Sequence, residues 1–338
     1  MFEYRFASLV ALLTFGLIVY GGVVHNTESG LACPDWPLCY GELFPDKGSG
    51  TRIEMGHRMV AAGVGLLTIA LSLVVSVRKR FSIPFRRLTF LAVILVSLQG
   101  TLGALTVLFR LPSLVSTAHL ALSIVFLSVL MVLAGAARFS IGDRPVAHLQ
   151  EQVSPLAGTL KVLILFLCVQ ILLGAFVRHT GSGAAAGIGP EASILGVDPD
   201  TGKTTLWPIQ IPGKLNMVHR YLAMAITLFT LRVGMKMYRI GGEVRDSRLK
   251  GFALSSITLV ILQVAIGMLS LRSFLSVGLV TAHLAVGTLL YMDLFSTYLY
   301  VRFLISPYDY RRKVPVASRH QAAIDTEMAT GRTRRVTG

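Results

Sequence analysis

Apolar and polar stretches alternate along this chain with the period of a lipid bilayer. Apolar runs cover roughly residues 6–24, 59–77, 88–108, 116–138, 159–177, 217–237, 252–271 and 279–303. Each is near the ~20 residues that a helix needs to cross the hydrocarbon core. In lipid the backbone must satisfy its own hydrogen bonds, which leaves helices or closed barrels. The pattern therefore predicts an all-α membrane protein with eight transmembrane helices. The first run lacks a small-residue cleavage site and is expected to stay as a helix, not to leave as a signal peptide. Pro34, Pro37 and Pro45 break the polar segment at 25–56. A run of Ala and Gly, with Pro190, Pro199 and Pro212, breaks the one at 178–215.

Composition agrees: 53% of residues are hydrophobic and 14% charged, where a soluble protein carries about 25% charged residues. The net charge of +15 is gathered in short loops and the C-terminal tail. That distribution is one of membrane orientation and lipid contact, not of nucleic-acid binding. Arg78, Lys79, Arg80, Arg86 and Arg87 lie between the second and third runs. Arg239, Arg245, Arg248 and Lys250 lie between the sixth and seventh, and Arg311, Arg312, Lys313, Arg319, Arg332, Arg334 and Arg335 lie in the tail. The opposite segments, 25–56 and 178–215, are longer yet poorer in positive charge. An even number of crossings with this bias predicts a plasma-membrane protein with both termini cytoplasmic and 25–56 and 178–215 outside.

The chain also repeats itself. Gly22-Val23-Val24-His25-Asn26-Thr27-Glu28-Ser29-Gly30 is echoed 153 residues later by Ala175-Phe176-Val177-Arg178-His179-Thr180-Gly181-Ser182-Gly183. His57-Arg58 recurs as His219-Arg220 at 162; Gln99 and Gly103 as Gln263 and Gly267, and Thr117-Ala118-His119 as Thr281-Ala282-His283, at 164. The landmarks keep their order, so the chain is expected to form two pseudo-symmetric four-helix bundles of the same orientation. The first occupies 1–138 and the second 158–305. A cytoplasmic linker at 139–157 joins them, and a basic tail at 306–338, without apolar periodicity, is expected to lack a fold.

The chemistry gathers on the repeat. His57, His119, His219 and His283 each stand at the outer end of an even-numbered helix. A single histidine there reads as an interfacial residue bonded to a neighbour. Four at repeat-related positions read as axial ligands of two porphyrin irons, built into bundle cores from facing helices. Arg58 and Arg220 follow directly and are candidates for binding haem propionates, or are arginines reaching the interface. Glu54, three residues before His57, shares its helical face. It is expected either to handle protons beside the iron or to serve the helix dipole; the equivalent Asn216 cannot titrate. Cys33 and Cys39 lie in one outer loop, most simply as a disulfide, alternatively as a redox-active pair. Gln99, Gln263, Gly103 and Gly267 read as packing residues, Cys168 as an apolar filler, and His25 and His179 as loop residues near the site mouths. His148 and His320 fall on the cytoplasmic side.

The run from Thr27 through Cys33-Pro34-Asp35-Trp36-Pro37-Leu38-Cys39 to Gly41, followed by Ile53-Glu54-Met55-Gly56-His57-Arg58, resembles the haem A synthases. Val177–Gly183 and the two Thr-Ala-His sites share the resemblance, which covers about residues 5–305. It implies eight helices in two four-helix halves. It also implies oxidation of a methyl group of haem O, through an alcohol and a hydrated aldehyde, to the formyl group of haem A used by terminal oxidases. The substrate haem O is then expected on His57 and His119, with Glu54 beside it, and a haem b on His219 and His283. Cys33 and Cys39 match the family's disulfide pair. The expected partners are haem O, haem O synthase, a quinol or other electron donor, and a second copy of the chain. The rival expectation is a non-catalytic dihaem cytochrome b-type electron carrier using the same four histidines. Glu54 and the cysteine pair, confined to the first half, argue against two equivalent sites.

Overall fold

The structure, a computed structural model, describes residues 2–45, 47–78, 81–139, 147–190, 195–198 and 201–305. The expectation for the tail falls outside the described residues, as does 140–146 of the expected linker; residues 147–157 of that linker are not a break but the first turns of a helix, Ala147–His179. The elements are α1 (Phe2–Asn26), α2 (Ser49–Val77), α3 (Ile83–Leu108), α4 (Ser113–Phe139), α5 (Ala147–His179), α6 (Ile211–Glu243), α7 (Ser247–Arg272) and α8 (Val277–Ile305). A two-residue ladder, β1 (Gly196–Val197) against β2 (Thr204–Thr205), interrupts the segment before α6.

Every apolar run became a helix, and the helices outreach the runs. α2 starts ten residues ahead of its apolar run, at Ser49, and α6 starts at Ile211 with Pro212 in its first turn, where proline's missing N–H is harmless. Glu54 and His57 consequently lie inside α2, in its second and third turns, and not at its mouth. Seven of the helices among the described residues are long and apolar enough to cross a membrane. α6 is less apolar, because Lys214, His219, Arg220, Arg232 and Lys236 are spaced along it. The apolar helices fit a multi-pass membrane protein.

α1 packs on α2, α2 on α3, α3 on α4, and α4 returns to α1; α5 packs on α6, α6 on α7, α7 on α8, and α8 returns to α5. α1 and α4 meet α8, and α4 meets α5, along a central seam. Leu127, Leu130 and Leu133 of α4, Leu156, Leu160 and Leu163 of α5, and Leu290 and Leu294 of α8 fill it and are fully buried. Leu66, Leu73, Phe90, Leu165 and Leu228 point outward and are more than 60% exposed. A leucine gains little by leaving lipid for protein, so close approach rests on small residues. Gly22 lies against Leu284, Gly234 against Ile257, and Gly135 against Leu299 and Phe303. Polar anchors fix the ends: buried Glu3 pairs with Arg78, and Asp246 caps α7 by accepting from Arg248 N and Leu249 N at 2.9 and 3.2 Å.

Candidate functional site

The four histidines share one environment. Each imidazole lies on a glycine of the preceding odd-numbered helix. A methyl group added at Gly21 (α1) would sit 3.3 Å from Cε1 of His57 (α2), and one at Gly103 (α3) 3.4 Å from Cε1 of His119 (α4). In the other half the corresponding distances are 2.8 Å from Gly174 (α5) to His219 (α6) and 2.8 Å from Gly267 (α7) to His283 (α8). The packing order sets α2 diagonally opposite α4, and α6 diagonally opposite α8. Each pair of histidines thus faces across its own ring of helices, and the members of each pair lie within electrostatic reach of one another.

The ring nitrogens are largely unclaimed. Nδ1 of His57, His119 and His283 is buried without a hydrogen-bond partner, an arrangement that costs about 1–3 kcal/mol per group if nothing takes it up. Gln170 Nε2 lies 3.1 Å from Nδ1 of His219 and donates to the His219 carbonyl at 2.9 Å. Gln263 Nε2 lies 3.3 Å from Nε2 of His283, and Gln99 Nε2 donates to the His119 carbonyl at 2.9 Å. Tyr20 stands edge-on to His57, ring centres 5.6 Å apart. Among the described residues no cluster of three or more His, Cys, Asp or Glu is arranged for a bare ion. Opposed imidazole pairs, walled by glycine, fit a flat macrocycle that brings its own four equatorial ligands.

Above each site a helix-borne pair holds a loop in place. In the first half, Glu54 is 3% exposed and accepts from Arg58 at 2.6 Å and from the Cys33 backbone N–H at 2.8 Å. Arg58 also donates to the carbonyls of Asp35 at 2.8 Å and Leu38 at 2.6 Å. Cys33 and Cys39 are joined as a disulfide and are fully buried. The tip of that loop folds on Asp35, which accepts from the N–H groups of Gly41 and Tyr40; the Gly41 bond, chiefly, draws its carboxyl below the usual range. In the second half Asn216, 4% exposed, accepts from Arg220 at 2.7 Å and donates to the carbonyls of Ser182 and Gly183 at 3.0 and 2.8 Å. Arg220 donates onward to the carbonyls of Ala186 and Gly187. The guanidinium groups of Arg58 and Arg220 are therefore given to loop carbonyls.

Where the two rings meet, His25 at the end of α1 stands 4.3 Å, centre to centre, from His179 at the end of α5. Beside them Arg178 Nε donates to Asn26 Oδ1 at 3.0 Å. The sequence marked these as loop residues, but both helices run on through them.

Four contributors escaped the sequence reading. Gly21 and Gly174 are 153 residues apart, the spacing of the neighbouring repeat, and that signal would have found them. Gln170 and Tyr20 have no repeat-related counterpart of the same type, and only their position in space marks them. Gln99 and Gln263, read as packing residues, reach the histidine-bearing helices.

A family model described as cytochrome oxidase assembly protein, COX15-CtaA, matches residues 4–295. Among similar proteins, one named Heme A synthase from Exiguobacterium sibiricum is 32% identical over 238 residues, 70% of this chain and 75% of that one. Another of that name, from Bacillus pumilus, is 30% identical over 322 residues, 93% of this chain and 99% of its own length. A third, from Shewanella oneidensis, is 25% identical over 318 residues, covering 85% and 92%. With a match over nearly its whole length and a relative aligned almost end to end, the chain belongs to the COX15-CtaA family of cytochrome oxidase assembly proteins.

Proposed function

We propose that the chain is a haem A synthase, which oxidises a methyl group of haem O to the formyl group of haem A. The observation that carries this reading is one contact made four times: a histidine laid on a neighbouring helix's glycine, in two diagonally opposed pairs. The relatives bear the name of that activity, so a non-catalytic dihaem carrier is not favoured. The substrate haem O is assigned to His57 and His119, and a resident haem b to His219 and His283, with imidazole as axial ligand throughout. When bound, haem b supplies a one-electron couple; the protein's part is to hold and orient both macrocycles.

Two pseudo-symmetric four-helix bundles, within 1–138 and 158–305, are supported by the matching packing orders and by contacts that recur at the repeat spacings. The charge bias supports cytoplasmic termini in the plasma membrane, with the sites toward the outer face. Haem O synthase as supplier and a quinol or other electron donor complete the proposed set of partners, and a homo-oligomer remains compatible with it. Arg58 and Arg220 serve the sites by fastening the loops over them.

Glu54 is the proposed acid–base group, taking a proton released as the methyl group is oxidised. Asn216 makes the same kind of tether in the second half with a neutral amide, so holding the loop does not require an acid. Protein supplied with haem O is expected to yield haem A and its hydroxylated precursor on extraction. Recovery of unchanged haem O alone would defeat the proposal. Glu54→Gln is expected to keep the haem spectra and slow formyl formation by about a hundredfold; an unchanged rate would remove Glu54 from the chemistry.

A further inference from the structure

On the haem reading, each bound macrocycle brings two carboxylates that need partners. The arginines that follow the axial histidines are spent on loop carbonyls. The outer seam offers a different set of donors. At the repeat spacing of 153, His25 answers to Arg178 and Asn26 to His179. Across the seam these equivalents exchange partners. His25 meets His179, ring centres 4.3 Å apart, and Arg178 Nε donates to Asn26 Oδ1 at 3.0 Å. The arrangement is fixed from both sides: Asn26 Nδ2 donates to Thr281 Oγ1 at 3.0 Å, and Ser113 Oγ to the His179 carbonyl at 3.1 Å.

The position suits the sites. His25 stands one helical turn beyond Gly21, the glycine under His57, and Arg178 one turn beyond Gly174, the glycine under His219. His179 is within electrostatic reach of His119. Nε2 of His25 and Nδ1 of His179 are buried without a hydrogen-bond partner. Among the described residues no carboxylate pairs with Arg178. Two imidazole nitrogens able to carry a proton and one planar guanidinium make a donor set for a carboxylate. A carboxylate near lipid needs such partners, because its charge is costly to bury unpaired.

We infer that His25, Arg178 and His179 form a carboxylate-binding site at the seam, which grips tetrapyrrole propionates where the two halves meet; this rests on the haem reading proposed above. Arg178 provides the charge, and the two histidines provide directed N–H groups. The seam then aligns both macrocycles against one common surface and makes the orientation in one half depend on residues of the other.

The test compares an acid with its ester. The full chain, solubilised and freed of haem, is titrated with protohaem IX and with protohaem IX dimethyl ester, followed by the Soret band. The wild type is expected to bind the acid about tenfold tighter, the scale of a charge-assisted hydrogen bond. Arg178→Gln is expected to bring the two affinities together by weakening the acid and leaving the ester unchanged. Should that variant fail to fold, His179→Phe, which keeps a ring against His25 and removes the N–H, is expected to narrow the ratio in the same direction. Equal affinity of the wild type for acid and ester would overturn the inference alone, as would a full preference retained by either folded variant. A wild type that binds neither ligand would overturn the haem reading and this inference with it.

Discussion

At the scale of single residues the two halves differ by half an ångström. A methyl at Gly174 or Gly267 would come within 2.8 Å of an imidazole carbon, while at Gly21 and Gly103 it would stand at 3.3 and 3.4 Å. The first distance requires the ring to move, and the second only a few tenths of an ångström of give. A resident cofactor gripped tightly and a substrate that must come and go would be expected to differ in this sense. Gly267→Ala is accordingly predicted to lose most of the bis-histidine haem absorbance of the purified protein, whereas Gly103→Ala keeps it. Equal loss in both would break the link between the glycine and the ligand geometry. Part of this was legible without coordinates, although the glycines read only as packing residues: His119 and His283 share the repeat spacing of 164 with Gly103 and Gly267, and the other two histidines recur at 162. Gln170 was not, because its partner His219 is 49 residues away in sequence and only the packing of α5 on α6 joins them.

At the scale of elements, α2 and α6 each carry a loop anchor on their N-terminal turns, and the two anchors differ in charge. Glu54, buried beside Arg58, is a paired charge; Asn216 is a neutral amide that orients Arg220. Removing one partner of a buried ion pair costs about 3–5 kcal/mol, while replacing both by apolar residues is often near neutral. Arg58→Leu is therefore predicted to lower the thermal midpoint of the purified protein and to expose the loop at 27–48 to protease, and the double change Glu54→Leu with Arg58→Leu to recover much of the loss. A double variant less stable than the single one would contradict the pairing. The sequence revealed both arginines but not their use. Both guanidinium groups turn to carbonyls of loops whose path is set by the disulfide and by turns, and no periodic pattern encodes such a path. The apolar runs likewise located every helix but missed the first turns of α2, α5 and α6, which project past the hydrophobic stretch.

At the scale of the whole molecule, the repeat predicted two equivalent units, and the helix packing follows two matching cycles joined at α1, α4, α5 and α8. What periodicity could not convey is the seam, where residue 25 meets 179 and 178 meets 26; that exchange exists only once the units are docked. The charge bias makes a further prediction for orientation. Single cysteines at Gly41 and Thr201 should react with an impermeant thiol reagent from outside the cell, and those at Ser82 and Arg245 only after the membrane is opened. The reverse pattern would invert the assignment of the sites to the outer face. The central claim is a division of labour, with the first histidine pair holding the haem that is converted and the second the haem that stays. It is tested most directly by the haem composition of purified protein carrying His57→Ala with His119→Ala, beside protein carrying His219→Ala with His283→Ala. The first is predicted to retain haem b and form no haem A, and the second to lose haem b. Continued formation of haem A without His57 and His119, or loss of haem b from the first variant alone, would contradict the claim.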